Sequence, residues 1–322
     1  MRAALCIAAL LALGLAREAA AASILLVTND QGNTIEKYDA QTYASLGSFA
    51  TGASGLSAPE GIAIGPDGNV YVANSVPQAD PGNKVLRYSP GGALLSASSF
   101  ISGYLPTYTY AMKFGPDGNL YLADNNGSGQ IERFNGTTGA YLGRFTTGAG
   151  DPLGFAGALD FAWGPDGKLY VADYAGKKIE RYNGSTGAYI DTIASGLVAG
   201  ASGLTIDASG NLYLSRYADG YQIEKFSSTG TDLGAYTSGV ALNYGFGSIF
   251  MPNGDLIVAS HGHSPTQGLY RFNSSGVFVS EVESTYTASF EVILTVPEPG
   301  TLALLGLGAA LARRLARRAR ID

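Results

Sequence analysis

The 322-residue chain contains only one cysteine, two histidines and one tryptophan. The cysteine, Cys6, lies in the apolar stretch near the beginning of the chain, so a mature protein without this stretch has no thiol. Disulfide bonds, cysteine-ligated metals and thiol catalysis are therefore excluded for the mature protein. Its stability has to come from a large hydrophobic core.

Charged residues are also scarce, at 14% of the chain. When the first 22 residues and the basic end after Ala312 are set aside, 13 basic and 24 acidic residues remain, a net charge of about −11. An acidic body argues against nucleic acid as a partner, because nucleic acid requires a basic footprint. The low charge, the 45 glycines and the 20 tyrosines are typical of an extracellular all-β protein rich in turns.

The first 22 residues have the pattern of a secretory signal peptide. Arg2 is a minimal charged region, residues 3–16 are apolar, and three alanines before Ser23 offer a small-residue cleavage site. Cys6 does not lie at that cleavage site, so no lipid anchor is indicated. This pattern predicts export of everything that follows.

The other end of the chain has a short rigid motif, an apolar run and a basic stop. The motif is Val296, Pro297, Glu298 and Pro299, and the apolar run covers residues 301–312. The basic stop consists of Arg313, Arg314, Arg317, Arg318 and Arg320. Because arginines stay on the cytoplasmic side of a membrane helix, this order leaves the motif outside. It resembles the PEP-CTERM sorting signal, which implies processing by an exosortase in a Gram-negative bacterium that makes exopolysaccharide.

The apolar run is short for a membrane helix. Its twelve residues would span about 18 Å, against a hydrocarbon core of roughly 30 Å. Continuing the helix through Leu315, Ala316 and Ala319, with snorkelling arginine stems, extends it to roughly 28 Å. We therefore expect a transmembrane helix that holds the chain in the inner membrane before processing. The alternative is a cationic amphipathic helix lying on the membrane surface.

Between the two signals, a four-residue turn motif returns at spacings of 50, 49, 43 and 44 residues. Its copies begin at Gly65, Gly115, Gly164, Asp207 and Met251, and the first three read Gly-Pro-Asp-Gly. Proline presets the first central residue and the final glycine accepts a positive φ, so each copy predicts a tight hairpin turn. A period of this length is typical of a propeller or a solenoid.

Each turn is followed by strand-like segments. Second strands are predicted at 25–28, 70–73, 120–123, 169–172, 212–215 and 256–259, and third strands at 35–38, 85–88, 131–134, 179–182, 223–226 and 269–272. A fourth strand follows, as at 140–145 and 188–193. Four short strands per unit, without a convincing helix, describe a propeller blade, so six copies predict a six-bladed β-propeller. Residues 59–74 resemble the NHL-type propeller repeat, and the resemblance extends over 24–294.

The first copy begins at its second strand, so the first blade lacks one strand. Residues 290–294 fall where a further first strand is expected. We predict that they pair with residues 24–28 and close the ring, because an open ring would expose a bare strand edge. The predicted domains are a signal peptide (1–22), the propeller (23–295) and the sorting signal (296–322).

Polar residues stand at the ends of the second strands, where a ring brings them to one mouth of the central channel. They are Asn29, Asn74, Asp124, Asp173, Arg216 and Ser260. Oxygen ligands from different blades can hold a hard cation such as Ca²⁺. Propellers of the gluconolactonase class resemble this arrangement, and the resemblance implies a divalent-metal site with Glu60 and Asn74 as the nearest matches. Together with Asp124 and Asp173 of the ring, they form the predicted metal site. The alternative is that such side chains cap turns through their own backbone.

His261 and His263 are the only histidines. They could share a zinc ion, but no further ligand lies nearby in the sequence, which favours a solvated loop.

Two functions stay open. The first is a binding or structural module of the cell surface or matrix, in an exopolysaccharide or biofilm setting, whose tyrosines bind polysaccharide or a surface protein. These tyrosines are Tyr104, Tyr108, Tyr110, Tyr174, Tyr217, Tyr221 and Tyr244. The alternative is a secreted metal-dependent hydrolase or lyase acting at the channel mouth. The sequence shows no catalytic triad order or phosphate-binding loop.

Overall fold

The structure, a computed structural model, describes residues 23–75, 83–104, 106, 109–124, 130–146, 157–261, 268–283 and 294–297. Strands dominate this part of the chain, and its one helix is a single 3₁₀ turn at Gly52–Ser54. The strands form six four-stranded antiparallel sheets, each a blade, and the predicted six-bladed propeller is confirmed.

The strands follow the blades in chain order. The first blade has β1 (Ser23–Asn29), β2 (Thr34–Asp39) and β3 (Ser45–Thr51), and the second has β4 (Pro59–Ile64), β5 (Val70–Asn74), β6 (Lys84–Tyr88) and β7 (Leu94–Ser96). The third has β8 (Thr109–Phe114), β9 (Leu120–Asp124), β10 (Gln130–Phe134) and β11 (Tyr141–Arg144), and the fourth has β12 (Ala158–Trp163), β13 (Lys168–Asp173), β14 (Lys178–Asn183) and β15 (Tyr189–Ala194).

The fifth blade has β16 (Ala201–Ile206), β17 (Leu212–Arg216), β19 (Glu224–Phe226) and β20 (Asp232–Ala235). Its loops add a two-stranded sheet that the sequence pattern did not predict, made of β18 (Asp219–Tyr221) and β21 (Leu242–Asn243). The sixth blade has β22 (Gly245–Phe250), β23 (Leu256–Ser260), β24 (Gly268–Phe272) and β25 (Phe278–Glu283), and the last strand is β26 (Leu294–Pro297).

The last strand closes the ring. β26 pairs antiparallel with β1, with Ser23 opposite Pro297 and Leu26 opposite Leu294. Closure by a C-terminal strand is therefore confirmed; the strand continues to Pro297, beyond the predicted end at Leu294, and residues 290–293 are outside the described residues. The repeat length itself varies by several residues, so the period of the sequence locates a strand only approximately. The position of β26 is instead set by its register against β1.

The core lies between neighbouring blades. Second strands are buried on both faces, as in β9, where Leu120, Leu122 and Ala123 are fully buried. Aromatic rings connect one blade to the next: the ring centroid of Tyr121 in the third blade lies 4.9 Å from that of Trp163 in the fourth. Such edge-to-face pairs add to the burial of apolar area.

The turn motif is structural, as the sequence indicated. In the third blade, the Asp117 carboxylate accepts hydrogen bonds from the Asn119 backbone N–H (3.0 Å) and the Tyr121 hydroxyl (2.9 Å). A Cβ on Gly115 would lie 2.6 Å from the Tyr121 ring. The motif therefore fastens the buried tyrosine of the second strand to its own hairpin.

The described residues contain no helix long and apolar enough to cross a membrane. The predicted signal peptide, the motif residues Glu298 and Pro299, the apolar run at 301–312 and the basic stop lie outside the described residues. The transmembrane helix therefore stays a prediction.

Candidate functional site: the loop-face mouth

The central channel has two different ends. The first strands of blades two to six, β4, β8, β12, β16 and β22, line the channel and run towards the hairpin turns, and the second strands run back. We call the end with the hairpin turns the turn face. The opposite end, where the second strands finish, is the loop face. In the first blade Ser23 and Pro297 lie at the turn face, and Asn29 lies at the loop face.

Each of the five first strands is irregular at the loop face. In β4 the pairing with β5 shifts between Pro59 and Ile62, so the strand has one extra residue there. The same shift recurs in the other four first strands. Bulges re-aim side chains and are enriched beside functional sites. The residues within these shifts include Glu60, Tyr110, Leu159, Ser202 and Phe246.

An aromatic cluster covers the loop face. Leu159 and Phe246 are buried, and four half-buried tyrosines pack against them. This mouth cluster consists of Leu159, Phe246, Tyr110, Tyr174, Tyr217 and Tyr244. The rings of Tyr110 and Phe246 are parallel, with centroids 6.3 Å apart. Since these two residues come from the third and sixth blades, which face each other in a ring of six, the cluster reaches across the channel.

Tyr217 is the centre of the mouth cluster. Its ring centroid lies 5.2 Å from that of Tyr174, 4.7 Å from that of Tyr244 and 5.6 Å from that of Phe246. Burial raises the pKa of its hydroxyl. Tyr244 adopts a left-handed backbone conformation with φ of 49°, which is uncommon for a bulky residue and is typically found where the surrounding structure enforces it.

A cavity of about 370 Å³ opens beside Tyr174 and Tyr217, and Lys177 and Gly200 also line it. A Cβ on Gly200 would lie 2.1 Å from the Tyr174 ring. The ring therefore rests directly on the backbone, a contact that only glycine permits. The cavity thus combines two tyrosine rings with the cationic side chain of Lys177, and apolar walls with a few polar groups are typical of ligand sites.

The mouth also has an acidic side. Glu60 is 6% exposed, and its Oε2 atom has no hydrogen-bond partner in the described part of the chain. Burial raises its pKa well above the usual value, a hydrogen bond with Ser75 opposes this, and the charge of Asp30 raises it further. Burial likewise raises the pKa of Asp30 to about 6, against backbone hydrogen bonds.

His261 connects the acidic and aromatic sides. Its Nε2 atom lies 4.0 Å from the Asp30 carboxylate, and its ring centroid lies 5.7 Å from that of Phe246. It is half-buried, which differs from the solvated loop that the sequence favoured. His263 lies outside the described residues.

The predicted metal ligands make contacts close to their own strands. Asn74 accepts a hydrogen bond from the Ser57 N–H (3.2 Å) and donates one to the Gly55 carbonyl (2.9 Å). Asp124 accepts one from the Tyr104 hydroxyl (2.5 Å). Asp173 accepts one from the Gly176 N–H (2.8 Å) and lies 3.7 Å from the Lys178 ammonium group.

No group of three or more acidic, histidine or cysteine side chains that could hold a metal ion occurs within the described ranges. The structure thus places Glu60, Asn74, Asp124 and Asp173 around the loop face, each with contacts of its own. The metal site remains a prediction.

The remaining predicted tyrosines lie elsewhere or are not described. Tyr104 stacks on Tyr141 with centroids 4.9 Å apart, and Tyr221 lies in β18. Tyr108 lies outside the described residues.

Sequence reasoning missed Asp30, Leu159 and Phe246 as residues of the mouth. For Leu159 and Phe246 the signal was weak, because a bulge breaks the alternation that assigns residues to a strand face. Asp30 lies in the turn after β1, where no strand pattern applies. One indication was present in the repeats. Glu60 and Phe246 occupy equivalent repeat positions, and each is followed by a glycine.

Comparison with known protein families identifies the sorting signal near the end of the chain. Residues 295–320 match the PEP-CTERM protein-sorting motif. The chain thus carries a sorting signal that implies processing by an exosortase and export to the cell envelope or surface. No curated protein matches the chain.

Solved structures share the propeller fold. A protein of unknown function from Bacteroides caccae is 14% identical with a TM-score of 0.62, covering 86% of this chain and 100% of its own. A chain of the nidogen/laminin complex is 15% identical with a TM-score of 0.58, covering 87% and 95%. A gluconolactonase from Xanthomonas campestris is 15% identical with a TM-score of 0.56, covering 74% and 79%. At these identities the similarity shows the fold alone.

Proposed function

We propose that the exported propeller is a non-catalytic binding module of the cell surface or matrix, and that it binds saccharide chains through the mouth cluster. The observation that carries this proposal is the set of half-buried tyrosine rings around Tyr217. A tyrosine offers an apolar ring face and a polar hydroxyl, which suits the C–H faces and hydroxyl groups of a sugar. The exosortase-dependent export implied by the sorting motif supports a role in an exopolysaccharide or biofilm setting.

The charge of the body narrows the class of saccharide. With a net charge of about −11 for the body and with Asp30 beside the cluster, the mouth disfavours anionic polymers. We expect it to prefer neutral or amino-bearing polysaccharides.

The test is calorimetric titration of the protein spanning residues 23–297 with dextran, partially deacetylated chitin and alginate. We expect binding to one of the first two and none to alginate. Tyr217→Ala should weaken binding about tenfold or more, because it removes the central ring of the cluster. Tyr174→Ala, at the rim, should weaken it with less effect on folding. The control is Tyr189→Ala, a half-buried tyrosine on the outer strand β15.

Loss of binding in Tyr217→Ala and Tyr174→Ala, with Tyr189→Ala unaffected, would support the proposal. Equal affinity in all variants, or no binding to any of the three polymers, would contradict it.

The metal-dependent hydrolase or lyase is a second candidate, and one observation favours it. Glu60 Oε2 and Asp30 Oδ1 are buried atoms without hydrogen-bond partners in the described chain, and a cation could satisfy both. Titration of Ca²⁺ and Zn²⁺ into the metal-stripped protein tests it. Micromolar binding that is lost in Glu60→Gln but kept in Asp166→Asn, an exposed turn aspartate, would support this candidate. Absence of heat would count against it.

A further inference from the structure

The closing strand of the propeller and the sorting motif share residues. β26 ends at Pro297, and the PEP-CTERM match begins at residue 295. In the folded body Val296 lies opposite Ile24 and Pro297 lies opposite Ser23. Half of the Val-Pro-Glu-Pro motif is therefore part of the first blade.

One edge of β26 is occupied in the folded body. The main-chain N–H and C=O groups on one side of β26 pair with β1. The main-chain groups on its other side point towards the channel, next to β4. An enzyme that binds an extended segment does so largely through the main-chain N–H and C=O groups of that segment. Pairing with β1 and binding of Val296 and Pro297 by such an enzyme therefore exclude each other.

The partner strand is the better anchored of the two. β1 pairs with β2 through six residue pairs and with β26 through four. Even Ser23, the first residue after the predicted signal peptide, is held, since its carbonyl accepts a hydrogen bond from the Ala40 N–H (3.0 Å). Opening of this edge moves β26 rather than β1, and such local opening needs less free energy than unfolding of the whole domain.

We propose that β26 must detach from β1 before the sorting motif is processed, so that the folded propeller limits the rate of its own sorting. Processing then depends on the population of the open edge, as proteolysis of a native protein does when opening and closing are fast. Cleavage on the C-terminal side of Pro297 leaves all four strand residues with the body, and the ring closes again afterwards.

A disulfide between paired cysteines can hold the edge closed. No native thiol competes for these cysteines, because the only native cysteine, Cys6, lies in the predicted signal peptide. In an antiparallel ladder, hydrogen-bonded and non-hydrogen-bonded pairs alternate, and the closer, non-hydrogen-bonded pair suits a disulfide. Leu25→Cys with Thr295→Cys and Leu26→Cys with Leu294→Cys are neighbouring pairs, so one of these two variants should crosslink. The control is Glu36→Cys with Ser48→Cys, which joins β2 to β3 in the same blade without touching β26.

The full-length chain is produced with its exosortase, and processed and unprocessed forms are separated on immunoblots over time. We expect the oxidised closing-strand variant to be processed about tenfold more slowly or worse, and reductant to restore the rate. The control variant should be processed at the wild-type rate. Wild-type processing of the oxidised closing-strand variant would overturn the proposal, and so would failure of both pairs to crosslink.

A second variant distinguishes restricted access of the exosortase to the motif from misfolding of the propeller. An insertion of Gly-Gly-Ser-Thr-Val-Pro after Pro297 leaves the closing strand intact and gives the motif its own unpaired Val-Pro. We expect faster processing than in the wild type at an unchanged melting temperature. Unchanged or slower processing would contradict the proposal. Neither experiment involves a saccharide, so the outcome is independent of the proposed binding function.

Discussion

At the scale of residues, two acidic side chains at the loop face are buried where their charged forms are disfavoured. Burial raises the pKa of Asp30 from an ordinary value of 3.8 to about 6 and raises that of Glu60 in the same direction. Between pH 4 and 6 the folded protein therefore keeps a proton on Asp30 that the unfolded chain has released. Stability falls as the pH rises through this window and stays lower above it.

We predict that Asp30→Asn melts a few degrees higher than the wild type at pH 8 and that this difference disappears near pH 4. The asparagine carries no charge, so the variant escapes the cost of the buried carboxylate. Thermal melts between pH 4 and 8 measure the effect.

Asp166→Asn is the matched control, and its expected effect on the melting temperature has the opposite sign. Burial alone would raise the pKa of Asp166, but hydrogen bonds from Lys168 and Tyr170 lower it. Its carboxylate stabilises the fold above pH 4, so this variant should melt lower than the wild type at neutral pH. A higher melting temperature for Asp166→Asn, or a lower one for Asp30→Asn at pH 8, would contradict the account.

The turn motif gives a second prediction at this scale. Tyr121→Phe removes the hydroxyl that donates to Asp117 and keeps the ring contact with Trp163. We expect a loss of about 1 kcal/mol in the free energy of unfolding, the typical net value of one hydrogen bond. Denaturant titration measures it.

Tyr270→Phe provides the comparison. Tyr270 is equally buried, but its hydroxyl makes no hydrogen bond within the described chain, so its removal should change stability by much less. Equal losses in Tyr121→Phe and Tyr270→Phe would show that the Tyr121 hydroxyl bond does not stabilise the turn.

At the scale of elements, the repeats in the sequence predicted most of the strands. The second strand at 120–123 is observed as Leu120–Asp124, and the third at 131–134 as Gln130–Phe134. Prediction worked here because Gly-Pro-Asp-Gly constrains a hairpin locally and the alternating pattern places the flanking strands.

The mouth was harder to predict, for two physical reasons. The bulges at Phe246 and Glu60 shift the pairing of a first strand with the second strand of its own blade, and the alternating pattern of the sequence does not show them. The aromatic contacts join residues far apart in sequence, such as Tyr110 and Phe246. The tyrosines could be named as candidates, but which of them cluster is a property of the closed ring.

The closing strand gives the prediction at the element scale. A protein that ends at residue 293 should lose about 2–3 kcal/mol of stability relative to one that ends at Pro297, the value of exposing roughly 100 Å² of apolar surface on β1. It should also self-associate, because β1 becomes a bare edge. Denaturant titration and light scattering test both effects. Equal stability and a monomeric state of the shorter protein would show that β26 does not close the ring.

At the scale of the whole molecule, the first and last described residues of the propeller lie at the face opposite the mouth cluster. Ser23 and Pro297 meet at the turn face, and Tyr217 follows a second strand at the loop face. A body held through either end therefore presents its aromatic mouth away from the point of attachment. This geometry suits a displayed binding module, since the ligand approaches the free face.

The central claim is that the loop face binds saccharide. Hydrogen–deuterium exchange of the protein spanning residues 23–297, with and without partially deacetylated chitin oligosaccharide, tests it most directly. The account predicts slower exchange in the segments around Gly200, Tyr217 and Tyr244 and no change in the hairpin turns that begin at Gly115 and Gly164. Protection confined to the turn face, or no protection at all, would contradict it.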